Sequence, residues 1–184
     1  MQVTESLRAA AISGSPSHAS RSRMLLQHGL AILARQRVAG SLLDLAELPA
    51  DDLLGRTRSG AITEALQQVA DAHIVLVATP VYRASYSGLL KTFFDLLPAG
   101  ALAGKVAVLV ATGGAPGHQL VLDHALRPLV ASLNGLSAPA GVFAIDSQFS
   151  PEGPTAALCE RLESALLQAI RLSAACAPEL SPVT

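Results

Sequence analysis

Short apolar runs alternate with longer stretches of helical periodicity along almost the whole chain, and this alternation restricts the possible folds more than any other feature. The runs predict strands at residues 7–12, 38–43, 73–78 and 106–111, with a fifth inside 135–144. The stretches between them predict helices, with Ser20 and Ser59 as N-caps of the first two. Further helices are predicted at 87–97, 117–133 and 154–175, while 44–57 is expected to be irregular.

Strand–helix alternation of this kind is typical of parallel βαβ units. The strands are continuously apolar, so both faces of their sheet should be covered by helices. We therefore predict an α/β protein with a three-layer, flavodoxin-like fold and a five-stranded parallel sheet in the order 2-1-3-4-5. The 184 residues suit one domain spanning 1–184, with an irregular tail expected from about residue 176.

The composition argues against several classes of function. Only 15% of the residues are charged and the net charge is −1, so a general basic surface for nucleic acid is not expected. No apolar stretch is long enough to span a bilayer, and the polar N-terminus lacks the pattern of a signal peptide. Cys159 and Cys176 lack metal-ligand spacing and are expected to be reduced thiols. We expect a cytoplasmic protein that binds neither nucleic acid, nor membrane, nor metal.

A serine-rich loop connects the first predicted strand to the first predicted helix. Backbone N–H groups and the helix dipole make this position an anion site, and serine hydroxyls and an arginine add donors and charge. The loop lacks the lysine of a nucleoside-triphosphate loop and the glycine spacing of a dinucleotide loop, so it favours a terminal monophosphate. A turn that merely caps the helix is the simpler alternative. The candidate phosphate-binding residues are Ser15, Ser17, Ser20, Arg21 and Ser22.

A second loop begins where the third predicted strand ends. Pro80 cannot continue the hydrogen-bond ladder of a strand, so the chain should leave the sheet there, at the edge where open α/β sheets bind ligands. A rigid turn, phenol rings, hydroxyls and a helix start suit a flat polar ring such as a flavin. A proline-stiffened turn packed with tyrosines is the alternative. The candidate residues are Pro80, Val81, Tyr82 and Ser85.

A third loop, Thr112-Gly113-Gly114, follows the fourth predicted strand and should open on the same edge. Glycines let backbone amides approach a planar ligand closely, and such amides can stabilise negative charge that develops on a flavin. His118 is a further candidate for contact with flavin or nicotinamide, although helix capping or solvation is the commoner role of a histidine at such a position.

In these loops the chain resembles the flavodoxin-like NAD(P)H-dependent FMN reductases, and within them the branch that supplies reduced flavin to alkanesulfonate and methanesulfonate monooxygenases. The resemblance runs from about Ala10 to about Ser147. Its most specific part is the proline-tyrosine segment with the helix start that follows it. The matching motifs are Gly14-Ser15-Pro16, Thr79-Pro80-Val81-Tyr82, Ser87-Gly88-Leu89-Leu90-Lys91 and Thr112-Gly113-Gly114.

The resemblance implies an enzyme that transfers hydride from NADH or NADPH to FMN. The serine loop would bind the FMN phosphate, the proline-tyrosine loop would line the isoalloxazine ring, and the glycine loop would approach its polar edge. Many family members carry arginine where this chain has Ser17. Either Arg21 supplies that charge instead or this chain binds the phosphate more weakly, and both alternatives stay open. The nicotinamide would stack above Tyr82 and Gly114, and a flavin-dependent monooxygenase would receive the product.

Hydride transfer between two cofactors needs little acid–base work from the protein, which agrees with the lack of a conspicuous nucleophile or catalytic triad in the sequence. With 3% aromatic residues and no tryptophan, the chain has few side chains that could enclose a flavin ring between two aromatic rings. An exchangeable flavin is therefore favoured. A quinone, azo-dye or chromate reductase of the same fold stays open as an alternative. A flavodoxin-type carrier is disfavoured by the weak net charge and scarce aromatics. A non-enzymatic module that binds a nucleotide is a further alternative. The preference for NADH or NADPH is also left open by the sequence.

Two features of the helices bear on assembly. The helix predicted at 87–97 has more apolar circumference than one core face requires, which predicts a homo-oligomer, and the resemblance implies a homodimer or homotetramer. Its Lys91 and Asp95 are expected to form a solvated pair. In the next helix Pro128 cannot bond the carbonyl of His124, so a kink or π-bulge is expected near Asp123 and His124. The resemblance implies an aromatic or histidine insertion there, at the subunit interface.

Overall fold

The computed structural model describes residues 7–176. The strands are β1 Arg8–Ser13, β2 Ala39–Asp44, β3 Ile74–Pro80, β4 Val106–Gly113, β5 Leu136–Ser137, β6 Val142–Ile145, β7 Phe149–Ser150 and β8 Gly153–Pro154. The α-helices are α1 Arg21–Arg35, α2 Ala50–Leu53, α3 Gly60–Asp71, α4 Gly88–Asp95, α5 Arg127–Ser132 and α6 Ala156–Cys176. Within residues 7–176, no helix combines the length and the apolar character that crossing a membrane would require.

The main sheet is parallel and has the order β2-β1-β3-β4, with β5 and β6 together in the fifth position. The predicted order is therefore confirmed, but the fifth strand is interrupted between Ser137 and Val142. Proline has no N–H to give to a ladder, and Pro139 lies in the interruption. Arg127 instead bonds the carbonyls of Ala138 and Pro139, at 2.9 and 2.6 Å.

Helices cover both faces of the sheet, as predicted. Alternate residues of each central strand point to opposite faces. In β3, for example, Ile74 and Leu76 pack with the residues of α1 and α6, whereas Val75 and Val77 pack with those of α3, α4 and α5. The arrangement is three-layered, and it leaves the carboxyl ends of the strands free to carry the loops described below.

The N-caps of the helices show how local sequence sets the loop ends. The side chains of Ser20 and Ser87 accept hydrogen bonds from the N–H groups of Arg23 and Leu90, both at 3.1 Å, as expected for caps of α1 and α4. Ser59 occupies the N-cap position of α3, but its hydroxyl does not cap that helix. It bonds instead to the buried carboxylate of Asp52, in a stretch predicted to be irregular.

The segment predicted as one helix over 117–133 is not uniform. It comprises a 3₁₀ turn Pro116–Leu120, a π-helical segment Leu122–Leu126 and the helix α5. The predicted π-bulge at Asp123 and His124 is thus confirmed. Its physical cause is Pro128, which cannot supply the N–H that a regular helix needs at that position.

The apolar excess expected on α4 is largely absent. This helix ends at Asp95, and Leu90, Phe93 and Phe94 on it are buried within the subunit. Leu97, beyond the end of the helix, is buried too. The prediction of a broad spare surface is therefore wrong, because these side chains belong to the hydrophobic core on one face of the sheet, and Leu89 and Leu96 pack against it. The Lys91–Asp95 pair is present on the exposed side, with Nζ–O distances of 2.5 and 2.7 Å.

Candidate functional site

An open cleft of about 740 Å³ lies among the loops that follow β1, β3, β4 and β6. Parallel strands end at one edge of a sheet, so loops that are distant in sequence meet there. The volume is within the range of small-molecule sites. Ten of the predicted site residues line the cleft, and they come from all three predicted loops: Ser15, Ser17, Ser20, Arg21, Pro80, Val81, Tyr82, Thr112, Gly113 and Gly114.

The other three predicted site residues lie outside this lining. Ser22 is fully buried, with its hydroxyl oxygen 3.3 Å from that of Ser20. Ser85 lies at the base of a tight turn opposite Tyr82. His118 is exposed in the 3₁₀ turn, where its side chain lies close behind Gly113.

Hydrogen bonds fasten the three loops to one another. The N–H of Ser87 donates to the Thr79 hydroxyl at 3.0 Å, and the Ser87 hydroxyl donates to the carbonyl of Gly14 in the serine loop. The N–H of Val81 donates to the Thr112 carbonyl at 2.7 Å. Ser87 is buried and also caps α4. Hydroxyl and backbone hydrogen bonds therefore fix the walls of the cleft relative to one another, which preorganises it for a ligand.

The proline-tyrosine loop contains a two-residue turn. The backbones of Tyr82 and Ser85 exchange hydrogen bonds of 2.9 and 3.0 Å, and Arg83 and Ala84 between them have φ values of 49° and 64°. Non-glycine residues adopt this left-handed region at an energetic cost, and such strain is found at ligand sites. The turn presents Tyr82, whose side chain is 49% exposed, at the cleft.

The serine loop places helix α1 with its N-terminus at the cleft. The first N–H groups of a helix have no intrahelical acceptor, and the Ser20 cap takes that of Arg23, leaving those of Arg21 and Ser22. The Ser15 oxygen accepts from the Ser17 N–H at 3.2 Å. The donors and the helix dipole suit an anion.

Arg21 connects this loop to the end of the fifth strand. Its Nη1 donates to Asp146 Oδ1 at 2.7 Å, and its guanidinium carbon lies 5.6 Å from the centre of the Phe149 ring. The sequence analysis missed the fifth-strand loop, although the rule that placed the other three loops applies equally to residues that follow Ile145. The missed lining residues are Ala19, Met24, Asp146, Phe149, Ser150 and Pro151.

A cluster next to the serine loop has the residue types of a metal site. Ligand atoms of His18, Asp44 and Glu47 lie within 4.8 Å of one another. However, Arg23 Nε lies 2.7 Å from Oδ2 of the buried Asp44. The pair is an ion pair without hydrogen-bond geometry, because neither Arg23 Nε nor Asp44 Oδ2 has a hydrogen-bond partner. The positive charge of the guanidinium nevertheless occupies the side of the carboxylate that a metal ion would need and repels a cation.

The lining is compatible with a phosphorylated flavin. Hydroxyls and an arginine lie at the end where α1 begins, while Pro80, Val81 and Tyr82 form an apolar wall. A Cβ atom added at Gly114 would meet nothing within 4 Å, so this backbone borders open space into which a ring edge can fit. These features match an anionic phosphate at one end of the cleft and a planar ring at the other.

Comparisons with known proteins agree with this chemistry. The model of the family described as NADPH-dependent FMN reductase matches residues 7–150. An FMN reductase (NADPH) of Pseudomonas putida is 41% identical over 162 residues, covering 84% of this chain and 82% of the relative. The NADH-dependent FMN reductase SfnF of Pseudomonas fluorescens is 39% identical over 152 residues, covering 80% and 81%. The crystal structure of an NADH:FMN oxidoreductase, EMOB, in its apo form has a TM-score of 0.83 at 36% identity, covering 96% of this chain and 92% of that one.

Proposed function

The chain belongs to the NADPH-dependent FMN reductase family, and from that premise we propose that it reduces FMN as an exchangeable substrate and releases it to a separate flavin-dependent monooxygenase of the sulfonate-oxidising type. It is an oxidoreductase that uses NAD(P)H and FMN. The observation that carries the proposal is the meeting of three strand-end loops at one cleft with an anion site at one end.

Each wall of the cleft has a role in this proposal. Ser15, Ser17, Ser20 and Arg21, at the start of α1, hold the FMN phosphate. Pro80, Val81 and Tyr82 support the isoalloxazine ring, and the backbone at Thr112, Gly113 and Gly114 faces its polar edge. Ser22, Ser85 and His118 lie outside the lining and have no direct role in this proposal.

The protein contributes position rather than acid–base chemistry. When bound, FMN accepts a hydride from NAD(P)H, and the nicotinamide needs a free ring face to stack on. The half-exposed Tyr82 and the bare backbone of Gly114 leave that side of the cleft open. The fastened loops keep the ring in place, which is how a protein lowers the barrier of a reaction between two bound molecules.

Steady-state kinetics test the function directly. We expect NADH or NADPH oxidation that depends on added FMN, with FAD and riboflavin as comparison substrates. Anaerobic ultrafiltration after reduction should recover reduced flavin in the filtrate. A protein without FMN-dependent turnover is no FMN reductase, and one that transfers electrons only to quinones or azo dyes while retaining its flavin has the alternative function.

Two glycine variants test the site. Gly114→Leu places a side chain in the cleft, whereas Gly117→Leu places one on the neighbouring turn, and a Cβ atom at either position meets nothing within 4 Å. We expect Gly114→Leu to raise the KM for FMN by about tenfold or more, with an unchanged melting temperature. Gly117→Leu should behave like the wild type. Equal effects of the two variants would place the flavin elsewhere.

We also propose a homodimer or homotetramer in the cytoplasm, where NAD(P)H is available. Tyr82 and Leu120, both about half exposed, present apolar surface near the mouth of the cleft and on the turn after Gly114. An apolar patch favours a protein contact whereas single exposed side chains are ordinary, so the proposed assembly rests chiefly on the family resemblance of the sequence. Sedimentation at micromolar concentration should show an oligomer, and a monomer alone would contradict the proposed assembly without touching the proposed activity.

A further inference from the structure

The cleft carries no net charge on its described lining, which is unexpected for a site that binds a phosphate dianion. Among the described residues that line it, Arg21 is the one cationic side chain and Asp146 the one acidic side chain. The two are joined by a 2.7 Å hydrogen bond. The arginine that the phosphate needs is therefore already paired with a carboxylate.

Asp146 is held in this position by its own loop. It begins a 3₁₀ turn Asp146–Gln148 that follows β6 directly. The side-chain oxygen of Gln148 accepts a hydrogen bond from the N–H of Ile145 at 3.1 Å, and the backbone carbonyl of Gln148 accepts one from the N–H of Thr155 at 2.9 Å. Phe149 then packs against the core under the Arg21 guanidinium. The loop thus fixes the backbone from which the Asp146 carboxylate reaches Arg21.

We propose that Asp146 competes with the flavin phosphate for Arg21 and so keeps FMN binding weak enough for exchange. The inference rests on the proposed function, in which FMN is a substrate that must leave. The side chains of Arg21 and Asp146 are 48% and 59% exposed, so the pair is accessible to an incoming phosphate. Charge-assisted bonds from arginine to phosphate are strong, and a fixed carboxylate beside them weakens the binding of a dianion.

Asp146→Asn tests the competition, because the amide oxygen can still accept from Arg21 while the charge is gone. Flavin fluorescence titration at low ionic strength should show FMN binding tightened by about tenfold. Riboflavin, which has no phosphate, should bind with unchanged affinity. The gain for FMN should shrink in roughly 0.5 M salt, because salt screens partly exposed charges. Asp146→Ala provides a second variant if the amide disturbs the loop.

The same titration in an Arg21→Gln background isolates the mechanism. If Asp146 acts by occupying Arg21, Asp146→Asn should change FMN affinity less than about twofold there. Asp51→Asn is the matched control, because it removes one negative charge from another exposed ion pair, Asp51 with Arg56, which does not line the cleft. It should leave FMN affinity unchanged.

Three results would overturn the inference: FMN affinity unchanged or weaker in Asp146→Asn, an equal gain for riboflavin, or an undiminished gain without Arg21. These outcomes are separable from the proposed function. If the wild type shows no FMN-dependent oxidation of NAD(P)H, the proposed reductase function is wrong, even if the FMN affinities of the variants follow the expected pattern. If turnover is normal but the variants bind FMN as the wild type does, only the proposed competition between Asp146 and the phosphate is wrong.

Discussion

Two carboxylates of the chain have contrasting surroundings, and the contrast separates folding from function. Asp52 is 1% exposed and accepts hydrogen bonds from the Thr57 hydroxyl at 2.6 Å, the Ser59 N–H at 3.1 Å and the Ser59 hydroxyl. Asp146 is mostly exposed and has one arginine partner. The first carboxylate has its bonding capacity filled within the protein, whereas the second can give up its partner to a ligand.

The difference has a physical basis. A buried carboxylate must find donors on folding, because leaving one unpaired costs far more than a hydrogen bond gains. Asp52, on α2, therefore ties the segment that leads into α3 back to α2 through Thr57 and Ser59. An exposed pair contributes little to stability, so the Arg21–Asp146 pair can be broken at small cost. Stability and flavin affinity should accordingly respond to different substitutions.

Asp52→Ala should have the largest effect on stability. It leaves the Ser59 N–H and two hydroxyls without their acceptor and frees the loop before α3. We expect the melting temperature to fall by several degrees, while the Kd for FMN changes less than about twofold, since Asp52 does not line the cleft. Asp51→Ala, at the exposed neighbouring position, serves as the control and should melt like the wild type. A large loss of flavin affinity in Asp52→Ala would show that stability and flavin binding do not depend on separate residues.

The stability that Asp52 provides should depend on pH. Hydrogen bonds from the side chains of Ser59 and Thr57 lower the pKa of Asp52 from its ordinary value near 3.8, although burial acts in the opposite direction. The unfolded chain therefore takes up a proton at higher pH than the native protein does. This contribution is present above about pH 4 and is lost as the pH falls through the native pKa. Urea unfolding from pH 7 downwards should show the gap between wild type and Asp52→Ala narrowing in acid, and a gap that widens would contradict the assignment.

Arg21→Gln tests the other side of the comparison. Removing the cation from the start of α1 should weaken FMN binding by about tenfold, because the phosphate loses its charge-assisted donor. The melting temperature should stay within about one degree of the wild type. Riboflavin binding is the internal control and should be unaffected. A variant that melts early while binding FMN normally would make the arginine a structural residue.

The sequence predicted the parts of this molecule that depend on patterns along the chain. The strands follow from apolar runs, their order from the strand–helix alternation of an α/β fold, the cap at Ser20 from residue type and position, and the π segment from Pro128. The cap and the π segment are set by interactions within a few residues, whereas the strand order is read from the pattern of the whole chain. These predictions also suffice to place three loops at one sheet edge.

The parts that were missed depend on side-chain contacts that no sequence periodicity indicates. Asp52 lies in a stretch where Pro49 and Gly55 obscure any periodicity, and its partners become visible only in three dimensions. Asp146 follows a strand that Pro139 interrupts, so the loop beyond it was not recognised as part of the edge. The broad apolar surface expected on α4 is not found because its large side chains pack into the core of the subunit, which helical periodicity alone does not reveal.

Ser20 contributes both to stability and to the proposed flavin site, so its variants can distinguish the two roles within one side chain. It lines the cleft and also caps α1. Ser20→Ala should lower the free energy of unfolding by about 1 kcal/mol, whereas Ser20→Gly should cost only a few tenths, because glycine is tolerated at an N-cap. Both variants lose the same hydroxyl, so both should weaken FMN binding by about fivefold. Denaturant unfolding and fluorescence titration on the two proteins measure these effects separately. If the two variants lose the same amount of flavin affinity but differ in stability, the hydroxyl contacts the phosphate directly. If the loss of flavin affinity follows the loss of stability, Ser20 acts as a helix cap alone.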